Sequence, residues 1–369
     1  MAPEIVIDAR FVNTGLGTYT YNLIAGLAAG QNTDFAIRAI VHEQNAGFLA
    51  AVCGRVAIVN APIYSLGEQM EIPRAASGCD LLHVPHYNAP LLYRGRLLVS
   101  ICDLIHIVEP AFRRTLASWL YARPMLNLAA RKAEHVITLS EYSKVQIVER
   151  LGIAPSKVSV IYCGVGAQFH PRDRQQCAAT VSQALSVHKP YLLYVGNLKP
   201  HKNVARLLRA LALLRQRKQA DPQLLVIGDD ATWKPGLLRE CAQLGLEDAV
   251  RFVAQVSDDL LPALYAAAEL VIQPSTLEGF GLPVVEAMAC GTPVVCSRAA
   301  SLPEVGGDAA EYFDPYSVDD IAAALERVLS SSDRREELRR KGLLQASRFS
   351  WDECARQHAA IYRRLLALN

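Results

Sequence analysis

The sequence predicts an α/β protein built from two doubly wound parallel sheets. Short apolar runs of strand length alternate with helix-like segments along the whole chain, the sequence form of a parallel sheet covered on both faces. A length of 369 residues is long for one core and comfortable for two. Near the middle, residues 167–190, AQFHPRDRQQCAATVSQALSVHKP, turn polar and read as a linker. The expected organisation is therefore residues 1–170 as one doubly wound domain and 171–350 as a second. Residues 351–369 are expected to form a helix crossing back to the first.

The elements follow in order. EIVID, AIRAIV, RVAIV, LLHV, RLLVSI, HVITLS and KVSVIYCGV are the strands of the first half. YLLYVG, QLLVIG, AVRFVA, LVIQPS and TPVVCS are those of the second. Tyr19–Ala29 has a helical apolar pattern behind Gly15 and Gly17, and Ser140 is the expected N-cap of the helix in LSEYSKVQIVERLG. Ligands of such sheets bind outside the carboxyl ends of the strands, so the loops that follow strands carry the functional reading.

Composition narrows the class. Hydrophobic residues at 51% and charged residues at 20% define a globular chain. A net charge of +2 gives no excess that would seek nucleic acid. The nine cysteines contain no C-x-x-C pair and several sit in apolar runs, which argues for a reducing compartment and against a zinc site. With no signal-like start and no apolar run of membrane length, a cytoplasmic location is expected.

Two stretches carry the chemistry. In YVGNLKPHKN, residues 194–203, a strand ends at Gly196 and a helix begins near Asn203, so Lys202 stands at a helix N-terminus where a diphosphate is favoured. A solvated loop lysine is the alternative. In STLEGFGLPVVEAMACGTPVV, residues 275–295, Glu278 lies in a glycine loop and Glu286 about one turn inside an apolar helix. An unpaired carboxylate there is costly, and a ribose diol would satisfy it. A capping acid and an acid paired with a distant arginine are the alternatives. The loop ARFVNTGLGTYTYNL lacks the full G-x-G-x-x-G pattern but brings backbone close to a phosphate. His83, His86, Asp103 and His106 end strands without the convergent carboxylates or thiols of a metal site, and no D-x-D pattern occurs.

Together these motifs resemble family 4 of the retaining glycosyltransferases, with their GT-B fold of two Rossmann-like domains facing a central cleft. EGFGLPVVEAMACGTPVV resembles the family's E-x7-E signature, and YVGNLKPHKN, VIYCGVGAQFHP, SLPEVGGDAAEYFDP and FSW match in order. DLLHVPHYNAPLL and TGLGTY resemble its mannosyltransferase-rich subgroup of surface polysaccharide assembly. The resemblance implies transfer of a sugar, mannose from GDP-mannose first, to a saccharide or polyprenyl-linked saccharide. UDP-glucose and UDP-N-acetylglucosamine are the alternative donors, and no metal or cofactor is implied. It assigns Lys202 to the donor diphosphate, Glu286 to the ribose and Glu278 to the transferred sugar. Gly15, Gly17, Gly196, Asn197, Val253, Phe280, Gly281 and Leu282 complete the donor set. Asp103 is assigned to catalysis, and His86, Asp103 and His106 to the acceptor. Asn197 stands where many members have arginine, and Cys102 where many have histidine. Residues 111–135 mix Arg113, Arg114, Trp119, Tyr121, Arg123, Arg131 and Lys132 with leucines, a pattern that fits contact with an anionic bilayer or an ordinary surface helix. A nucleotide-sugar epimerase or hydrolase, or a silent nucleotide-sugar binder, is the competing function.

Overall fold

The computed structural model describes residues 2–13, 16–30, 34–109, 116–217 and 222–368. The chain divides into two compact units, residues 1–164 with 350–369, and residues 165–349.

The first unit holds β1 (Glu4–Asp8), β2 (Ala36–Val41), β3 (Val56–Ile58), β4 (Leu81–Val84), β5 (Leu97–Ser100), β6 (His135–Thr138) and β7 (Val158–Val160). They form one parallel sheet in the order β3-β2-β1-β4-β5-β6-β7. β4 and β5 are buried throughout, as their continuous apolar runs require of a sheet covered on both faces. The order reverses between β1 and β4, whose register pairs Ile7 with His83. That reversal is the topological switch point, where a crevice opens beyond the strand ends.

The terminal helix, Trp351–Leu366, belongs to this unit and packs on the helix Gly17–Ala29. A Cβ on Gly26 would lie 2.8 Å from that of Ala355, so the glycine permits the close crossing. Between them lies a buried polar chain. Tyr362 Oη meets His83 Nδ1 at 2.7 Å, and His83 Nε2 meets Ser100 Oγ at 2.8 Å. Tyr19 Oη is 2.8 Å from both Ser100 Oγ and His358 Nε2, and His358 Nδ1 donates to the Cys354 carbonyl at 2.7 Å. His83 is thus a packing residue of the terminal helix.

The second unit holds β8 (Tyr191–Val195), β9 (Gln223–Ile227), β10 (Val250–Val253), β11 (Leu270–Gln273), β12 (Val294–Ser297) and β13 (Ala310–Phe313). The parallel order is β10-β9-β8-β11-β12-β13, with its reversal between β8 and β11. Two features differ from the sequence reading. AEYF forms the edge strand β13, whose glutamate and half-buried tyrosine hide the apolar pattern. The polar stretch read as linker carries the helix Arg174–Leu185, capped by Asp173 accepting from the Gln176 amide at 2.8 Å. Only Cys177 and Val181 of that helix are buried, so its sequence shows almost no apolar face. Ser140 caps its helix as expected, accepting from the Ser143 amide at 3.1 Å. Among the described residues no helix is long and apolar enough to cross a membrane.

Candidate functional site

The second unit's switch point is built from the ends of β8 and β11. After β8 the chain turns at Gly196, and Gly228, at the end of β9, packs directly on it. A Cβ on Gly228 would lie 1.8 Å from the Gly196 carbonyl oxygen, and φ there is 145°. The Gly228 position therefore demands glycine for the chain's own close approach, and the Gly196 position, with φ 154°, for its backbone conformation. Asn197 is exposed; its carbonyl accepts from Tyr194 Oη at 2.6 Å and its Oδ1 from the Lys199 amide at 3.2 Å. Pro200–Lys202 makes one 3₁₀ turn, Asn203 adopts a left-handed conformation with φ 61°, and the helix Val204–Gln216 follows. Asn203 Nδ2 donates to the carbonyls of Pro274 and Pro315 at 2.9 and 2.8 Å, which fixes the lysine turn against the loop after β11.

Across that junction Lys202 Nζ donates to Glu278 Oε1 at 2.7 Å. The same oxygen accepts from Gln273 Nε2 and Ser275 Oγ, each at 2.7 Å. Burial alone would raise the Glu278 pKa, but the Lys202 charge and these hydrogen bonds hold it below the usual range, so the group is an anion. The loop beyond it is pinned from behind: Ser301 Oγ donates to the carbonyls of Glu278 and Phe280 at 3.1 and 2.8 Å. Phe280 packs edge-on against Phe349 at 5.5 Å, so its side chain anchors the loop. Gly281, with φ 111°, then caps the helix Leu282–Ala289, in whose first turn Pro283 has no N–H and the Val284 amide donates to the Gly281 carbonyl at 2.9 Å.

Glu286 lies one turn into that helix, half-buried, and accepts from Tyr265 Oη at 2.7 Å. Its partner is a buried tyrosine, and no distant arginine pairs with it among the described residues. Burial pushes its pKa up to about 7, against the opposing effect of the Tyr265 bond. Val253 ends β10 half-buried, its carbonyl accepting from the Gly228 amide at 2.9 Å. The structure thus brings Gly196, Lys202, Glu278, Gly281, Leu282 and Glu286 into one unit, and adds Gln273, Ser275 and Tyr265. A glutamine and a serine at the end of a wholly buried strand were the sequence signal for two of these.

The remaining expected residues lie in the first unit. Gly15 is outside the described residues. Gly17 starts its helix, and a Cβ there would strike the Val12 carbonyl oxygen at 1.9 Å, so its smallness is required by the unit's own backbone. Asp103 Oδ1 accepts from the Ile105 amide at 2.9 Å, holding the short helix Ile105–Val108 on which half-buried His106 sits. Cys102 is buried, and its carbonyl accepts from Ser143 Oγ at 3.0 Å, so that carbonyl serves the fold. Residues 111–115 and the side chains of 116–121 lie outside the described residues.

The first unit's switch point holds an ion cluster that the sequence did not reveal. Arg10, 2% exposed, donates to both Asp8 oxygens at 2.9 and 2.8 Å and to Glu68 Oε2 at 3.0 Å. Asn88 Nδ2 donates to Glu68 Oε1 at 2.6 Å, and the Asn88 amide donates to His86 Nδ1 at 3.1 Å. That last bond makes Nδ1 an acceptor, so the neutral ring carries its hydrogen on Nε2. Burial, with His106 and Arg10 nearby, pushes the His86 pKa down to about 3. His86 is a hydrogen-bond donor in this setting.

Both switch points therefore bear charged side chains beyond the strand ends, and the second combines a lysine–carboxylate pair with a helix N-terminus, the equipment of an anion-binding α/β unit. Residues 13–169 match the Glycosyltransferase Family 4 model and residues 179–344 the model for Glycosyl transferases group 1. The chain is 34% identical over 246 residues to O-antigen chain mannosyltransferase B of Escherichia coli, covering 66% of this chain and 64% of that protein. The chain thus spans a little under two thirds of that relative. It is 35% identical over 313 residues to a D-inositol 3-phosphate glycosyltransferase of Nocardioides sp., covering 78% of this chain and 68% of that protein. A sucrose-phosphate synthase structure from Thermosynechococcus elongatus superposes with a TM-score of 0.81 at 20% identity, covering 99% of both chains. The chain belongs to glycosyltransferase family 4, and its two parallel sheets are those of the GT-B fold.

Proposed function

We propose that the protein is a retaining, metal-independent glycosyltransferase that moves mannose from GDP-mannose to a saccharide or polyprenyl-linked saccharide in surface polysaccharide synthesis. The observation that carries this reading is the Lys202–Glu278 pair beside the helix N-terminus at the second switch point. A donor diphosphate arriving there competes for the lysine. Once Lys202 turns to phosphate, Glu278 accepts sugar hydroxyls instead and, being an anion, stabilises positive charge at the anomeric carbon. The acceptor oxygen bonds to that carbon as the carbon–phosphate oxygen bond breaks, and the leaving phosphate oxygen takes the acceptor's proton. Stabilising that oxygen is the main electrostatic task. Glu286, ionised, accepts from the ribose diol in place of Tyr265. Mannose as the sugar is supported by the mannosyltransferase among the relatives. Asp103, His86 and His106 stand on the acceptor side of the same proposal, with contact at an anionic membrane surface as its setting.

The test is a binding screen of GDP-, UDP-, ADP- and dTDP-sugars, followed by NMR of the product anomer in excess chelator. An α-linked product joined to acceptor, formed from GDP-mannose without metal, is expected. Activity lost to chelator and restored by manganese overturns metal independence. Free altered sugar, or binding without turnover, overturns transfer.

A further inference from the structure

The first unit gathers aromatic rings at its switch point. Phe11, three residues beyond β1, stacks on His86 with centroids 4.3 Å apart, and His86 lies 4.2 Å from Tyr87. Tyr87 in turn lies 5.2 Å from His106. Phe11, His86 and Tyr87 are all buried. Tyr64 differs: it joins the same cluster, 5.8 Å from His86 and 6.4 Å from Tyr87, yet it is 49% exposed.

Its backbone is unusual as well. Tyr64 has φ 65°, a left-handed conformation that a bulky side chain rarely adopts. Such strain persists only where surrounding contacts hold it. The holding contacts are visible: the Tyr64 oxygen accepts from His86 Nε2 at 3.3 Å, and its hydroxyl also bonds Tyr87. The ring is tethered by its polar tip to the loop after β4, and half of the residue's surface is left to solvent.

We propose that Tyr64 is the platform on which the acceptor's sugar ring seats. A hexopyranose has a C–H face that is apolar and a rim of hydroxyls, and a fixed phenol face with an aromatic and polar surround matches both. Because the ring is already held, little side-chain freedom is lost on binding. The backbone strain at Tyr64 is then the cost of aiming the ring. This inference rests on the transferase reading, since it takes the first unit as the acceptor's.

The test measures α-mannobiose binding by saturation-transfer NMR and acceptor KM in the transfer assay, for the wild type, Tyr64→Gly and Tyr64→Trp. Glycine relieves the left-handed backbone and removes the ring. Tyr64→Gly is expected to weaken α-mannobiose binding and raise acceptor KM about tenfold, consistent with loss of one aromatic contact, while Tm stays level or rises. Tyr64→Trp is expected to keep most of the affinity. Unchanged α-mannobiose binding in Tyr64→Gly overturns the inference, as does a lowered Tm with unchanged acceptor KM, the pattern of a packing residue. Binding of GDP in the same samples separates the two ideas. If the wild type binds α-mannobiose through Tyr64 but no nucleotide, the donor reading falls and the platform stands; if it binds nucleotide but no mannoside, the platform falls alone.

Discussion

At the carboxyl end of β1, Arg10 is 2% exposed and shared between Asp8 and Glu68; at the carboxyl end of β8, the Lys202 side chain is 14% exposed and pairs with Glu278. Both sites occupy the reversal point of a parallel sheet, and both join a cation to carboxylates. The first is closed: a rigid guanidinium fork meets fixed oxygens on all sides, and each carboxylate has its partners inside the fold. The second is open on one side. An ammonium has three donors on a flexible stem, so Lys202 can exchange Glu278 for an incoming anion. The same reversal of strand order thus supports a structural ion cluster in one unit and an exchangeable pair in the other.

The contrast is tested most severely by Arg10→Met. Removing the cation leaves two carboxylates buried together, and a loss of ~3–5 kcal/mol in denaturant unfolding is expected. A loss under ~1 kcal/mol would place Arg10 among exchangeable charges and break the comparison. Next come Lys202→Ala and Glu278→Gln, each expected to lower turnover at least about a hundredfold, as for a lost electrostatic group at a reacting centre. Near-normal steady-state rates in either variant would remove that residue from the chemistry.

A smaller effect is expected from Glu286. Its folded pKa of about 7 lies above the ordinary 4.5, so the folded state keeps a proton that the unfolded chain has lost. Stability is therefore greatest below about 4.5 for this group and falls as pH rises through about 7, by at most ~3 kcal/mol and less for the solvent that half-buried Glu286 keeps. Glu286→Gln should flatten that slope. A ribose that binds the ionised form makes nucleotide affinity rise with pH through the same window; a flat affinity profile in calorimetry would separate Glu286 from the ribose. The smallest effect is that of Tyr265→Phe. The Tyr265 bond lowers the Glu286 pKa, so its loss, worth ~1 kcal/mol, should move the midpoint of that pH profile upward.

What the sequence made legible was local. Strands from EIVID to TPVVCS stand out because parallel strands are apolar on both faces, and Glu278 and Glu286 stand out because they interrupt such a run. Lys202 was legible as a lysine between a strand and a helix. The Arg10 cluster was not: Glu68 lies 58 positions from Arg10, and nothing in VIDARF or LGEQME marks either as buried. Tyr265 likewise sits in an ordinary apolar helix, 21 positions before the carboxylate it serves. His86 was legible as a polar residue after a strand, but only its bond from the Asn88 amide reveals which nitrogen carries the hydrogen. The helix inside the stretch read as a linker was not legible because, with only Cys177 and Val181 buried, it has too little apolar surface to show a period.

The polar chain beneath the terminal helix has a direction. A carbonyl only accepts, so Cys354 obliges His358 to donate from Nδ1 and accept at Nε2 from Tyr19. Tyr19 must then accept from Ser100, Ser100 from His83 Nε2, and His83 Nδ1 from Tyr362. One acceptor sets every proton in the series, and the series leaves from and returns to the same helix. Burial keeps both imidazoles neutral, as the arrangement needs. Slid by one turn, with each residue taking the place of the one four before it, the helix would set Leu366 where Tyr362 stands and leave His83 Nδ1 without a donor. The spacing of Cys354, His358 and Tyr362 therefore fits a single seating of the helix on this series.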